Sequence, residues 1–167
     1  MIGNDVIDMM QSRKESNWQR KGFVEKLFTA SEQLLISSTS DPETIVWLLW
    51  SMKEAAYKIY NRQTKVREYI PQKLACTIIS KNEHHATGIV NCPDYTYYTK
   101  TTISKDSLHT IAVMHAKHLD HVIEIESKNI IKDENGIPFL ITLSSNVLKD
   151  VSISHHGRFE KVVIINH

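Results

Sequence analysis

Residues 50–58 read WSMKEAAYK, with a lysine beside a glutamate and a second lysine four residues after that glutamate. On a helix Glu54 and Lys58 fall about 40° apart on one face, while Lys53 lies about 100° round from Glu54. Trp47 and Trp50 flank Glu54 on that surface, and Tyr57 is close by. A solvated Glu–Lys pair of this spacing contributes about 0.2–0.5 kcal/mol to its helix and does no chemistry. Under a covering layer the same pair becomes a charged floor, where a carboxylate needs a cation or a polar ligand to satisfy it. Two indoles and a tyrosine around a charge pair are odd for an open surface and favour the covered cleft. A lysine and a carboxylate held together in this way suit a site that handles phosphate and metal.

The element that must carry these residues is well signalled. In SDPE (40–43), Ser40 or Asp41 can cap a helix and Pro42 sits in its first turn, where the missing N–H costs nothing. The spacing predicts a helix over about 42–61, with Ile45, Leu48, Leu49, Met52, Ala55, Ala56 and Ile59 as its core stripe. Upstream, GNDVIDMM reads as a short opening strand and QSRKES as a polar junction. NWQRKGFVEKLF follows as a helical stretch, with an apolar stripe of Trp18, Phe23, Leu27 and Phe28 that Gly22 weakens. TASE (29–32) has the form of a capping box opening a short helix through EQLLIS.

From residue 66 the texture turns to strands: KLACTIIS, TGIV, YTYYTKTTI, LHTIAVMHA, HVIEIE, PFLITL, VSISH and KVVIIN. DENGIP (133–138) is a turn-rich break before the last of them. Helices first and strands after predict an α+β fold rather than alternating βαβ units. Residues 1–167 read as a single domain, with a β-hairpin elaboration near 81–107.

Composition narrows the class. The chain has 167 residues, 41% hydrophobic and 23% charged, with a formal net charge of +1. That balance lacks the global basic field of a nonspecific nucleic-acid binder, so any anion site is local. Cys76 and Cys92 are too few for a disulfide framework and lack metal-ligand spacing. His109, His115, His118 and His121 do not follow a zinc-site spacing and read as surface and strand-end residues. No apolar run approaches membrane-spanning length and the first residues lack a basic n-region, so a cytoplasmic, soluble protein is expected. No nucleophile elbow, Walker loop or dinucleotide fingerprint is present.

Four stretches, in order along the chain, carry a family resemblance. GND (3–5) resembles the Gly-x-Asp that opens the 4′-phosphopantetheinyl transferases. FVEKLFTASE (23–32) looks like their Phe-x-x-(Arg/Lys)-(Ile/Leu)-(Leu/Phe)-Thr-x-x-Glu segment. WSMKEAAYK fits the family's Trp/Phe-x-x-Lys-Glu-Ala/Ser-x-x-Lys signature at every defined position. NGIP followed by VSISH resembles the Asn-Gly-Lys-Pro and Ser-(Ile/Leu)-Ser-His strand of the holo-acyl-carrier-protein synthase branch. The resemblance covers about residues 1–64 and 130–167 and leaves 65–129 unaligned. Two departures stand out: Ile137 occupies the lysine position of Gly-Lys-Pro, and HGRFEKVVI after His155 carries charges where the family often has small apolar residues.

The resemblance implies an α+β domain whose long helix packs on a mostly antiparallel sheet. It implies transfer of the phosphopantetheine arm of coenzyme A to a serine of an acyl carrier protein, with Mg²⁺ and with release of adenosine 3′,5′-bisphosphate. That would serve fatty-acid, polyketide or peptide-synthetase carriers. By the same resemblance Asp5 and Glu54 are the metal carboxylates, and Glu54 and Lys58 the catalytic pair. Lys53, Lys58, Ser154 and His155 are then coenzyme A contacts, and Arg13, Arg20 and Lys21, with Lys14, a docking surface for the acidic carrier. Asp8, three residues beyond Asp5, alternates to the other face of a strand and reads as a solvent or turn acid. The synthase branch commonly forms trimers with sites between subunits, an arrangement that would cover the aromatic face; residues 65–129 could do so instead. A degenerate relative that binds coenzyme A or a carrier without turnover is the alternative reading.

Overall fold

The computed structural model describes residues 1–68, 70–142 and 147–166. Its strand β1 (Ile2–Asp8) ends two residues earlier than the apolar run suggests. The Asp8 carboxylate accepts the backbone N–H groups of Met10 and Gln11 and so caps a helix, α1 (Met9–Glu15), in place of the expected polar junction. The helix expected through NWQRKGFVEKLF shrinks to α2 (Phe23–Leu27), because Gly22 at φ 83° sets its start in a left-handed conformation. Helix α3 (Ala30–Ser38) opens on a complete capping box: Glu32 N–H donates to Thr29 Oγ1, and Thr29 N–H to Glu32 Oε2.

Helix α4 (Pro42–Thr64) starts where SDPE predicts, with Asp41 accepting from Thr44 N–H, and ends at Lys65 in a left-handed conformation. Every residue of its expected core stripe is buried. Each fully buried leucine of the stripe contributes roughly 1.5–3 kcal/mol, which fixes the helix's rotation about its axis and therefore where Glu54 points. Among the described residues no helix is long and apolar enough to cross a membrane.

The strands β2 (Ala75–Lys81), β3 (His85–Cys92), β4 (Tyr95–Ile103) and β5 (Ser107–Val113) join β1 in an antiparallel sheet of order β1-β5-β4-β3-β2. The hairpin expected near 81–107 is therefore no appendage: β3 and β4 are interior strands of this sheet. Helix α4 lies against β1 and β5, and the main core fills the space between helix and sheet. A second antiparallel sheet has the order β6-β10-β9-β8-β7, from β6 (Val122–Glu124), β7 (Ile130–Lys132), β8 (Pro138–Thr142), β9 (Val147–His156) and β10 (Phe159–Ile165). Strand β7, only three residues long, is too short for its alternation to be recognised. The last residue of the expected PFLITL strand, Leu143, lies outside the described residues.

The two sheets meet through side chains rather than through a backbone ladder. Asn4 N–H donates to Ser152 Oγ, Val6 N–H to Ser154 Oγ and Asp8 N–H to His156 Nδ1, each at 2.9 Å. Alternate residues of a strand share one face and repeat at the spacing of its edge N–H groups. A Ser-x-Ser-x-His strand can therefore saturate the open edge of β1. Orphan edge donors would otherwise have to be hydrated or left unpaired in this buried seam.

Candidate active site

Two devices bring β1 onto α4. Gly3 is the first: a Cβ there would run into the backbone oxygen of Ala55, so only glycine allows this approach. The second is Lys58, whose ammonium donates to Asn4 O at 2.5 Å and Ile153 O at 2.9 Å, tying helix, β1 and β9 together. Asp5, two residues after Gly3, shares its strand face and so also turns to α4, where Ser51 Oγ donates to its backbone oxygen at 3.4 Å. The Asp5 carboxylate accepts a hydrogen bond from Ser154 Oγ at 3.1 Å.

Asp5 and Glu54 thus line one cleft of about 200 Å³, with Trp47, Trp50 and His155 in its walls. Burial pushes the Glu54 carboxyl up to about 7; the charge of Asp5 adds to the rise, and Lys58 opposes it. Burial also raises Asp5, against the pull of Lys58 and hydrogen bonds from Ser51 and Ser154. Burial lowers the Lys58 ammonium, and both carboxylates oppose that drop. Two half-buried carboxylates that repel each other are a ready place for a cation. Among the described residues no group of three or more metal-ligating side chains comes together. A hard cation such as Mg²⁺ is typically held by one or two carboxylates and completes its shell with water and phosphate oxygens, so the donor set fits it.

This titration has a consequence for stability. The folded chain holds Glu54 protonated to about pH 7 against an ordinary 4.5. The stability this contributes is complete below 4.5 and lost as pH rises through 7; Asp5 acts in the same direction. Without divalent cation the thermal midpoint is expected to fall across that window, a loss on the order of 2 kcal/mol after allowance for residual exposure. Glu54→Gln should flatten most of the fall. Melting curves by circular dichroism at several pH values check this, and superimposable pH profiles for the two proteins would place the titration on another group.

The remaining expected site residues divide sharply. Lys53 is 1% exposed and contacts both Glu32 carboxylate oxygens at 2.9 Å, Pro71 O at 2.7 Å and Leu74 O at 2.6 Å. With all of its donors engaged inside the protein, it is a structural ion pair rather than the coenzyme contact expected for it. Ser154 is likewise drawn inward: its hydroxyl accepts from Val6 N–H and donates to Asp5, so it positions a carboxylate instead of facing a ligand. His155, by the alternation of β9, points the other way; it is exposed and stands between the Asp5–Glu54 cleft and a neighbouring basic cavity.

Asp8 is not a solvent acid. It is fully buried, caps α1, and receives the Arg158 guanidinium through both carboxylate oxygens, which holds it well below the usual carboxylate range. The β9–β10 turn, and with it Ser154 and His155, is thereby anchored to the end of β1. Nothing in the local pattern around Asp8 marks a partner 150 residues away.

Of the expected docking residues, Arg13 makes a two-pronged ion pair with Glu43. Arg20 sits 5.5 Å over the Phe23 ring, and Arg20 and Lys21 line a cleft of about 410 Å³ with Phe23, Trp47 and Trp50. The two tryptophans are shared between this basic cleft and the Asp5–Glu54 cleft. Trp47 is only 5% exposed, covered edge-on by Phe23 at 6.3 Å. The chain's own α2 therefore covers Trp47. At the other side Tyr57 accepts Glu68 N–H, closing an apolar cavity of about 420 Å³ beside Glu54.

The sequence matches the family model described as the 4′-phosphopantetheinyl transferase superfamily over residues 1–114. That span contains Asp5, Glu54 and Lys58 and takes in much of the stretch 65–129 that the four motifs leave uncovered. No match was found among curated proteins.

Proposed function

The chain belongs to the 4′-phosphopantetheinyl transferase superfamily, and from that premise we propose that it moves the phosphopantetheine arm of coenzyme A to a serine of an apo-acyl carrier protein, as a Mg²⁺-dependent enzyme of the holo-acyl-carrier-protein synthase type. The observation that carries this reading is the convergence of Asp5 and Glu54 on one cleft beside Lys58. Around that cleft the surroundings divide as the substrates do. The basic cavity beyond His155 suits the nucleotide phosphates, and the apolar cavity beside Glu54 suits the uncharged arm. The cleft of Arg20 and Lys21 suits an acidic carrier.

The reaction joins the serine oxygen to the β-phosphorus and breaks that phosphorus's bond to the bridging oxygen, which leaves on adenosine 3′,5′-bisphosphate. Positioning and charge neutralisation are its main requirements. Glu54, a carboxylate in the cleft wall, is the group suited to take the serine proton. An ammonium has three donors; two of those on Lys58 are fixed on Asn4 O and Ile153 O, which leaves the third, on a side chain that lines the basic cavity, for a phosphate oxygen. Asp5 and Glu54 are the residues that would hold Mg²⁺, which when bound neutralises pyrophosphate charge.

Incubation with coenzyme A, Mg²⁺ and a panel of apo-carrier proteins tests this directly. The expected result is a carrier whose mass has grown by one phosphopantetheine arm, only when Mg²⁺ is present. No modification of any carrier would overturn transfer; retained coenzyme A binding in that case would leave a binding protein without turnover.

A further inference from the structure

Ile137 supplies no charge to the basic cavity: it is buried at 5% exposure. The cavity, about 380 Å³, is nevertheless lined by Lys58, Arg62, Arg67, Lys132 and His155, and by no carboxylate among the described residues. Two of these cations are engaged. Arg62 donates to Asp150, Pro138 O and Val151 O, and Lys58 is fixed across the seam. Lys132, exposed on β7, has no side-chain partner among the described residues.

Arg67 is placed differently from the rest. It comes from the segment after α4 and donates through Nη2 to Asn135 O in the β7–β8 turn. Gly136 makes room for it: a Cβ there would lie 2.8 Å from Nη2, and its φ of +74° suits glycine alone. Lys65 and Asp133, 3.5 Å apart, make a second link between the same two segments. A guanidinium carries five N–H donors, so this single bond to Asn135 leaves most of the fork available on the wall that the basic and apolar cavities share.

We propose that Arg67, from the α4–β2 segment and assisted by Lys132 and His155, binds a phosphate group of the coenzyme A donor. The proposal rests on the functional reading above only for the identity of the donor. The chemistry recognised is a phosphate, carried by coenzyme A both at the ribose 3′ position and in its pyrophosphate.

Titration calorimetry of the full chain with coenzyme A and with dephospho-coenzyme A, with Mg²⁺ present, tests it. A charge-assisted, two-pronged contact is among the stronger hydrogen-bonded contacts, so Arg67→Gln should weaken coenzyme A binding by about tenfold or more. Lys132→Gln should weaken it by about threefold. If Arg67 reads the 3′-phosphate, the loss disappears with dephospho-coenzyme A; if it reads the pyrophosphate, both ligands lose equally. Arg67→Lys should restore part of the affinity for whichever phosphate is read, and circular dichroism melts of Arg67→Gln that superimpose on the parent's separate loss of that contact from loss of the strap to Asn135.

Coenzyme A binding by Arg67→Gln within twofold of the parent would overturn the proposal while leaving the transferase reading intact. A parent chain that binds coenzyme A but modifies no carrier would fail that reading and leave this one standing. A parent chain that binds no coenzyme A would end both.

Discussion

Glu54→Gln is expected to lower phosphopantetheinyl transfer by about a thousandfold or more while leaving the fold intact. A positioned general base contributes roughly 10²–10⁴-fold, and the same change removes one of two carboxylates in the cleft. Glutamine keeps the shape of glutamate, so the cleft wall that Glu54 shares with Trp50 is retained. It also relieves the repulsion from Asp5 that, after burial, lifts the Glu54 carboxyl. The variant should therefore melt at or above the parent's temperature at pH 8, where the parent carries the charge. Single-turnover transfer followed by mass, beside circular dichroism melts, checks both halves. Activity within tenfold of the parent would remove Glu54 from the mechanism.

Breaking the buried pair of Glu32 and Lys53 should have the largest effect on stability. Both side chains are 1% exposed. Removing one partner strands the other as an uncompensated interior charge, which costs about 3–5 kcal/mol. Glu32→Ala does more, since Glu32 also accepts the N–H groups of Thr29 and Cys76 and so joins α3 to β2. Lys53→Met frees two backbone oxygens, those of Pro71 and Leu74, as well as Glu32. Each single variant should lose most of the chain's stability in urea titrations. The double variant Glu32→Leu with Lys53→Met should lose less than the sum, because no charge then stays behind.

The same pair decides what Lys53 does. At a temperature where Lys53→Met remains folded, its coenzyme A affinity should stay within about threefold of the parent, in contrast to Arg67→Gln. A tenfold loss in a folded Lys53→Met protein would restore Lys53 as a phosphate ligand.

How much of this is legible in the sequence depends on how far each feature reaches along the chain. Capping signals act over three or four residues, so the starts of α3 and α4 follow from TASE and SDPE. The core stripe of α4 is a matter of period, and the shared face of Glu54 and Lys58 follows from it. The end of β1 does not, because Asp8 can continue a strand or cap a helix, and the local pattern serves both. Lys53 sits on the same helix as Glu54, yet its orientation is settled by Glu32, Pro71 and Leu74 on other elements.

The sequence by itself determined the helical frame of the site, the α+β class and the set of charged residues from which the site is drawn. Only the tertiary structure decided where each of them points and which partner satisfies it. It turned Lys53 and Ser154 inward, bound Asp8 to Arg158 and set Arg67 on the cavity wall. The physical reason is that a charged side chain is committed by the partner that satisfies it, and here those partners stand up to 150 residues away. Periodicity fixes a direction on a helix or strand; it carries no information about what waits there.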